Sequence, residues 1–230
     1  MASFTLDFID GSKRTIKGFN FKDAFERAVL ENKDFSGLIL SGTAFRDFDL
    51  AGTYLYGINL KGAVLYSIDF SRTVLNNAQL SDARLLDCSF DNVYANGITL
   101  DRTQTVRCHF RDAVLTNSKL NKATFSACEI EDSRLSGAEI TDATFLGVSF
   151  LNTRMAGIKA NSVDFISSSF IGNFMGEAEF NECRFINTDF LDSPFFDNGP
   201  KIKEATFRVC FYKAAKANYY LKAFGKEIEK

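Results

Sequence analysis

From Phe35 to Phe195 a large apolar residue returns at every fifth position, beginning Phe35, Leu40, Phe45, Leu50, Leu55, Leu60, Leu65 and Phe70. Of the 33 positions in this series, 14 are Phe, 12 Leu, two Ile and two Met, and only Ala95, Thr105 and Ala160 depart from it. Two residues before each lies a second series of mostly small or β-branched side chains, such as Ala63, Ile68, Thr73, Ala78, Ala83, Cys88, Val93 and Ile98. The other three positions of each five are mainly Asp, Asn, Ser, Arg, Lys and Gly. A helix spaces its apolar residues by three and four, and a half-buried strand alternates them. A strict period of five fits neither. It fits a chain that turns a corner in every pentapeptide, with two side chains inside and three outside.

Four such corners make a square coil of 20 residues, and successive coils can pair their edges at the usual strand spacing of ~4.8 Å. Residues 20 apart then stack, and they form consistent columns. One reads Leu50, Phe70, Phe90, Phe110, Ile130, Phe150, Phe170, Phe190; another Leu40, Leu60, Leu80, Leu100, Leu120, Ile140, Ala160, Phe180. A third runs Phe45, Leu65, Leu85, Thr105, Phe125, Phe145, Phe165, Phe185. Each coil buries its apolar pair only against its neighbours, which is the logic of a solenoid. Leu dominates the first half of the interior and Phe the second.

The repeats Ala78 to Asp82 (Ala-Gln-Leu-Ser-Asp), Ala83 to Asp87 (Ala-Arg-Leu-Leu-Asp) and Ser133 to Gly137 (Ser-Arg-Leu-Ser-Gly) carry a recognisable motif. In them the chain resembles the pentapeptide-repeat proteins, whose loose motif is a small residue, Asp or Asn, Leu or Phe, a polar residue and Gly. The resemblance implies an all-β solenoid, the right-handed quadrilateral β-helix of that family. Roughly eight coils at ~4.8 Å give a rod ~40 Å long.

The two ends read differently. Phe4, Leu6 and Phe8 alternate with polar residues, Asp10 and Gly11 supply a tight turn, and Thr15 to Phe19 returns, which predicts a hairpin. Lys22 to Asn32 has the spacing of a short amphipathic helix through Ala24, Phe25, Ala28 and Val29. An open coil presents unpaired edges and a raw apolar cross-section, so residues 1–34 are expected to cap residues 35–195. Pro194 and the Asp197 to Pro200 stretch break the repeat. From Lys203 a stripe of Phe207, Cys210, Phe211, Ala214, Ala217, Leu221, Phe224 and Ile228 predicts a C-terminal α-helix within 196–230, with Tyr212, Tyr219 and Tyr220 beside it. Such a helix can roof the last coil as a monomer's lid. The resemblance favours a homodimer through this segment, with Phe207, Phe211, Tyr219, Leu221 and Phe224 as its contact residues.

Chemistry is sparse. The single His109 precedes an interior Phe and so points outward, no triad can be assembled around it, and there is neither a phosphate-cradling loop nor a metal-ligand cluster. An unbroken tube has no insertion to wall a pocket. No catalytic residue, cofactor or metal is therefore expected. Cys88, Cys108 and Cys128 share one inward column, while Cys183 and Cys210 lie elsewhere; they read as small apolar fillers. No run approaches the roughly 18 apolar residues of a membrane span, and the N-terminus lacks a secretory pattern, which makes the cytoplasm the expected compartment.

The formal charge is only −2, so total charge draws the chain toward neither nucleic acid nor membrane. Its distribution is more telling, with −6 on residues 35–195 and +4 on 196–230. The face of the Leu50 column carries nine acids, Asp49, Asp69, Asp91, Asp112, Glu129, Glu131, Asp132, Asp189 and Asp192, against Arg72 and Arg111. The bland reading is a solvated surface. The sharper one is a site for a basic partner. The resemblance implies such a partner, because some pentapeptide-repeat proteins mimic duplex DNA and bind type II topoisomerases such as DNA gyrase. The alternative is an interaction scaffold, a bacterial or phage accessory or effector protein that grips another protein by a different face or by the tail.

Overall fold

The computed structural model describes residues 1–190, 200–208 and 210, and the backbone of 225–227. Its body is a right-handed quadrilateral β-helix in which partner residues of neighbouring coils lie 20 apart, as in Phe145 beside Phe125 and Phe165. We number the four faces in chain order by their inward columns: face I begins at Phe35, face II at Leu40, face III at Phe45 and face IV at Leu50. Face III carries the most continuous sheet, with short parallel strands in register from Ala44–Arg46 to Arg184–Ile186 and beyond. Face I is held by single bridges, Tyr54 to Val74 to Tyr94 to Val114 among them.

The corners explain the period. Every fifth residue from Gly37 to Asn187 has positive φ, between 50 and 72°. This left-handed conformation turns the chain once per pentapeptide, with closing bonds such as Ala63 N–H to Leu60 O at 3.0 Å. Gly, Asn and Asp accept it readily. Here it is also imposed on Arg72, Arg102, Arg107, Lys122, Ala127, Glu177 and Glu182, because each coil is pinned to the next by backbone bonds such as Leu75 N–H to Tyr94 O at 2.7 Å.

Inside, like stacks on like. Phe90 lies 4.7 Å from Phe110 and nearly parallel to it; Phe145, Phe165 and Phe185 continue a second ladder at 5.2 and 5.0 Å. These offset stacks match the coil spacing and are a favourable aromatic geometry. Inward polar groups mostly satisfy themselves on neighbouring backbone: Thr73 Oγ1 donates to Phe70 O at 2.7 Å, and Asn173 Nδ2 to Phe150 O at 2.9 Å.

The N-terminal end is roofed as its pattern implies. Strands β1 (Ala2–Asp7) and β2 (Lys13–Gly18) form an antiparallel hairpin, followed by α1 (Phe21–Glu31). Asn20 caps α1 by accepting from Asp23 N–H, while the Asp23 carboxylate reaches back to Phe19 N–H, both at 2.9 Å. This reciprocal arrangement resembles a capping box. Phe21 and Phe25 then lie on Phe45 and Phe35, at 5.7 and 5.1 Å between ring centres, and close the apolar cross-section of the first coil.

The other end departs from expectation. A helix does not begin at Lys203: Lys201–Lys203 and Ala205–Arg208 are strands that continue the stack. Their partners lie 22 residues back rather than 20, Ile202 beside Phe180 and Phe207 beside Phe185. The register gains two residues between Asp189 and Lys201, so Ile202 and Phe207 are a displaced pentapeptide pair rather than one side of a helix. The spacing then returns to 20, with Ala205–Phe207 beside Gly225–Glu227.

Candidate protein-binding faces

The column positions beside each inward residue place the charged groups, and their partners decide which charges remain available. On face II, Arg102 grips Asp82 with two hydrogen bonds at 2.6 and 2.9 Å. On face III, Arg107 grips Asp87 at 2.7 and 2.9 Å, and Arg184 binds Asp164 in the same two-pronged way. These hydrogen bonds hold the Asp82 and Asp87 carboxyls below the usual range. Asp82, Asp87 and Asp164 are thus each masked by an arginine one coil away.

Face IV is different. Asp49 and Asp69 each accept a backbone N–H two residues on, from Ala51 at 2.9 Å and Ser71 at 2.8 Å. Asp91 accepts Arg111 N–H from the next coil at 3.0 Å. These three carboxylates order the backbone and have no ion pair among the described residues. Glu129 and Glu131 are partly neutralised, with Arg111 2.7 Å from the first and 3.2 Å from the second, and His109 3.1 Å from Glu129. Burial pushes the Glu129 carboxyl up, but the hydrogen bonds from Arg111 and His109 outweigh it and leave the group below its ordinary value. Asp112 and Asp132 occupy left-handed corners one coil apart, with no ion pair among the described residues. They line a groove of about 210 Å³ with Tyr94, Val114 and Arg134. Asp189 is half-buried and bridges to Ser169; Asp192 lies outside the described residues.

Of the residues expected at the C-terminal contact, Phe207 is buried, with its ring 4.8 Å from Phe185. It serves the core. Phe211, Tyr219, Leu221 and Phe224 lie outside the described residues.

One surface escaped the charge reading because it carries little charge. Face I exposes Tyr54, Tyr56, Tyr94 and Phe174, at positions that recur every 20 residues beside the interior. Reading the outward columns as the inward ones were read would have found it.

The thiols are core fillers. Cys88, Cys108 and Cys128 are buried and unpaired, and Cys88 N–H donates to Cys108 Sγ at 3.4 Å. Hydrogen bonds with its two neighbouring thiols, aided by burial, push Cys108 up, and burial pushes Cys183 up to about 12. Among the described residues, no group of three or more His, Cys, Asp or Glu could hold a metal ion, and no helix is long and apolar enough to cross a membrane.

Coils of four pentapeptides, each with a left-handed corner and a stacked apolar interior, define the class as a quadrilateral parallel β-helix. The pentapeptide-repeats family profile (8 copies) matches residues 25–65, 53–92 and 108–147. The chain belongs to the pentapeptide-repeat family. No curated protein sequence matches it significantly. Among solved structures, it is similar to HetL, a pentapeptide-repeat protein involved in heterocyst differentiation regulation in Nostoc sp. strain PCC 7120. That match has 16% identity over 85% of this chain and 92% of that one, with a TM-score of 0.36. It is also similar to trypsin-treated QnrB1, a plasmid-mediated fluoroquinolone resistance protein, with 13% identity over 80% and 95% of the two chains and a TM-score of 0.33. Rfr23 of Cyanothece 51142 follows at 19% identity over 54% and 92%, with a TM-score of 0.28. At these values the likenesses carry no weight for function.

Proposed function

We propose that the protein is a non-enzymatic, cytoplasmic binding protein that presents face IV to a basic protein. The DNA-binding groove of a type II topoisomerase such as DNA gyrase is the partner class it suits best. The observation that carries this reading is the concentration on face IV of carboxylates without ion pairs among the described residues, Asp49, Asp69, Asp91, Asp112 and Asp132, whereas Asp82, Asp87 and Asp164 on faces II and III are each held by an arginine one coil away. A one-signed surface attracts and orients a basic partner. The pairing of Glu129 and Glu131 by Arg111 moves the centre of the site toward Asp49 and Asp69.

The test is direct binding to purified DNA gyrase across a salt series, with wild type beside Asp49→Lys/Asp69→Lys. The expected result is binding that weakens steeply with salt and is lost in the double variant. Absence of binding sinks the topoisomerase reading. Binding that survives both salt and charge reversal moves the site to another face. The scaffold alternative has its own support in the exposed tyrosines of face I.

A further inference from the structure

Face I complements itself, end for end, about the coil that carries Tyr94. Its outer column runs from Asp34 to Arg154 through bridged coils. Turned end for end about Tyr94, this column sets Val74 on Val114, Tyr54 on Arg134 and Asp34 on Arg154. The corner column beyond it has the same symmetry: Gly97 falls on itself, Asn77 on Asn117 and Gly57 on Gly137.

The corner bordering face IV is complementary in charge. Asn92 falls on itself and Arg72 on Asp112. Asp132 falls on Gly52, where Lys33 brings its ammonium within 3.9 Å of the glycine's Cβ position. The border and outer columns line one groove, formed by Asn92, Tyr94, Asp112, Val114, Asp132 and Arg134. They therefore act as a single surface.

We propose that face I is a dimer interface whose occupant is a second, antiparallel copy of this chain. The two-fold axis runs along the strand direction at the Tyr94 coil. Such an isologous contact requires each patch to complement itself, and this one does so in kind and in charge. Tyr94 is 57% exposed and Tyr54 55%. In the pair, Tyr94 packs on its own copy, Val74 on Val114, and Tyr54 beneath the Arg134 guanidinium, a favourable cation–π arrangement. Asp34 meets Arg154, and Arg72 meets Asp112.

Both copies have the same coil spacing, so the pairs stay in register along a strip about 30 Å long. Tyrosine, asparagine, glycine and arginine with few acids is also an interface composition. An axis along the strands keeps both copies of face IV on the same side of the dimer. Asp112 and Asp132 are then taken up in the dimer seam, and Asp49 and Asp69 remain uncovered as the part of face IV open to a basic partner.

The test is sedimentation of the full chain over a concentration series. Wild type is expected to show a monomer–dimer equilibrium. R72D and D112R should each weaken self-association by about tenfold or more, because symmetry repeats each like-charge contact, and the R72D/D112R double variant should restore it. In a C210S background, Y94C should cross-link to its own copy whereas Q79C on face II should not, a readout that does not depend on charge reversal. A chain that stays monomeric to several hundred micromolar overturns the proposal. So does a dimer indifferent to R72D, or one that Y94C does not capture. Gyrase binding by D49K/D69K is a separate readout, so failure of the acidic-face reading leaves this result intact.

Discussion

The guanidinium of Arg111 lies 2.7 Å from Glu129 Oε2 in the next coil and 3.2 Å from Glu131. One arginine thereby holds two of the carboxylates that the charge pattern assigns to the acidic face. All three side chains are partly solvated, so the pairs contribute little to stability, but they mask charge. Arg111→Gln should strengthen binding of a labelled lysine-rich peptide about two- to fivefold at low salt. The gain should vanish at high salt. Fluorescence anisotropy measures it, and an unchanged affinity would mean that Glu129 and Glu131 do not contribute to the acidic surface.

Thr105 interrupts an apolar column between Leu85 and Phe125, and its buried hydroxyl has no hydrogen-bond partner among the described residues. Such a group keeps its desolvation cost without compensation. Thr105→Val preserves the shape and removes the hydroxyl, and should stabilise the protein by about 1 kcal/mol. In urea the midpoint should rise with the slope unchanged. Destabilisation would show that the hydroxyl has a partner, such as a bound water.

The inward columns were legible because burial enforces them: Phe90 and Phe110 sit on each other at 4.7 Å, and only a large apolar residue fills that position. Asp112 and Asp132 were legible for the same reason, since their positions follow from the register. Partnerships across coils were not. Whether Arg111 turns toward Glu129 or toward solvent depends on rotamers that a period cannot fix. Phe207 was misread because two inserted residues displaced the five-residue phase. Beyond the break, Phe207 and Phe211 are spaced as a helix would space them, while Ile202 and Phe207 keep the spacing of the coil. The left-handed corners were hidden wherever arginine, lysine or glutamate occupies them, because backbone pairing there overrides local preference.

The arginine–aspartate ladders make a pH prediction. Hydrogen bonds from Arg102 and Arg107 lower the Asp82 and Asp87 carboxyls in the folded protein. A lowered carboxyl contributes its stability above the unfolded aspartate value of about 3.9, and loses it as pH falls through the lower folded values. These groups therefore give no slope between pH 7 and about 5, and a loss below about 4. Thermal melting from neutral to strongly acidic pH should show that shape, and R102Q/R107Q should flatten the acid limb. An acid limb unchanged in the double variant would assign it to other carboxylates.

The corners offer a matched pair of substitutions. Ala127 is held at φ 51° without the polar side chain that helps Asn or Asp there. For an L-residue this conformation costs about 1–2 kcal/mol. Glycine removes that strain but frees the unfolded chain by about 0.5–1 kcal/mol. Ala127→Gly should therefore leave a net gain of about 0.5–1 kcal/mol. Gly57 sits at φ 62°, and a Cβ added there would meet nothing within 4 Å. Gly57→Ala consequently isolates the strain, with no clash, and should destabilise by a similar amount. Equilibrium unfolding of the two variants beside wild type tests the symmetry. Equal stability in all three would mean that the coil relaxes its corners at no cost, and that backbone pairing, rather than corner residues, sets the turn.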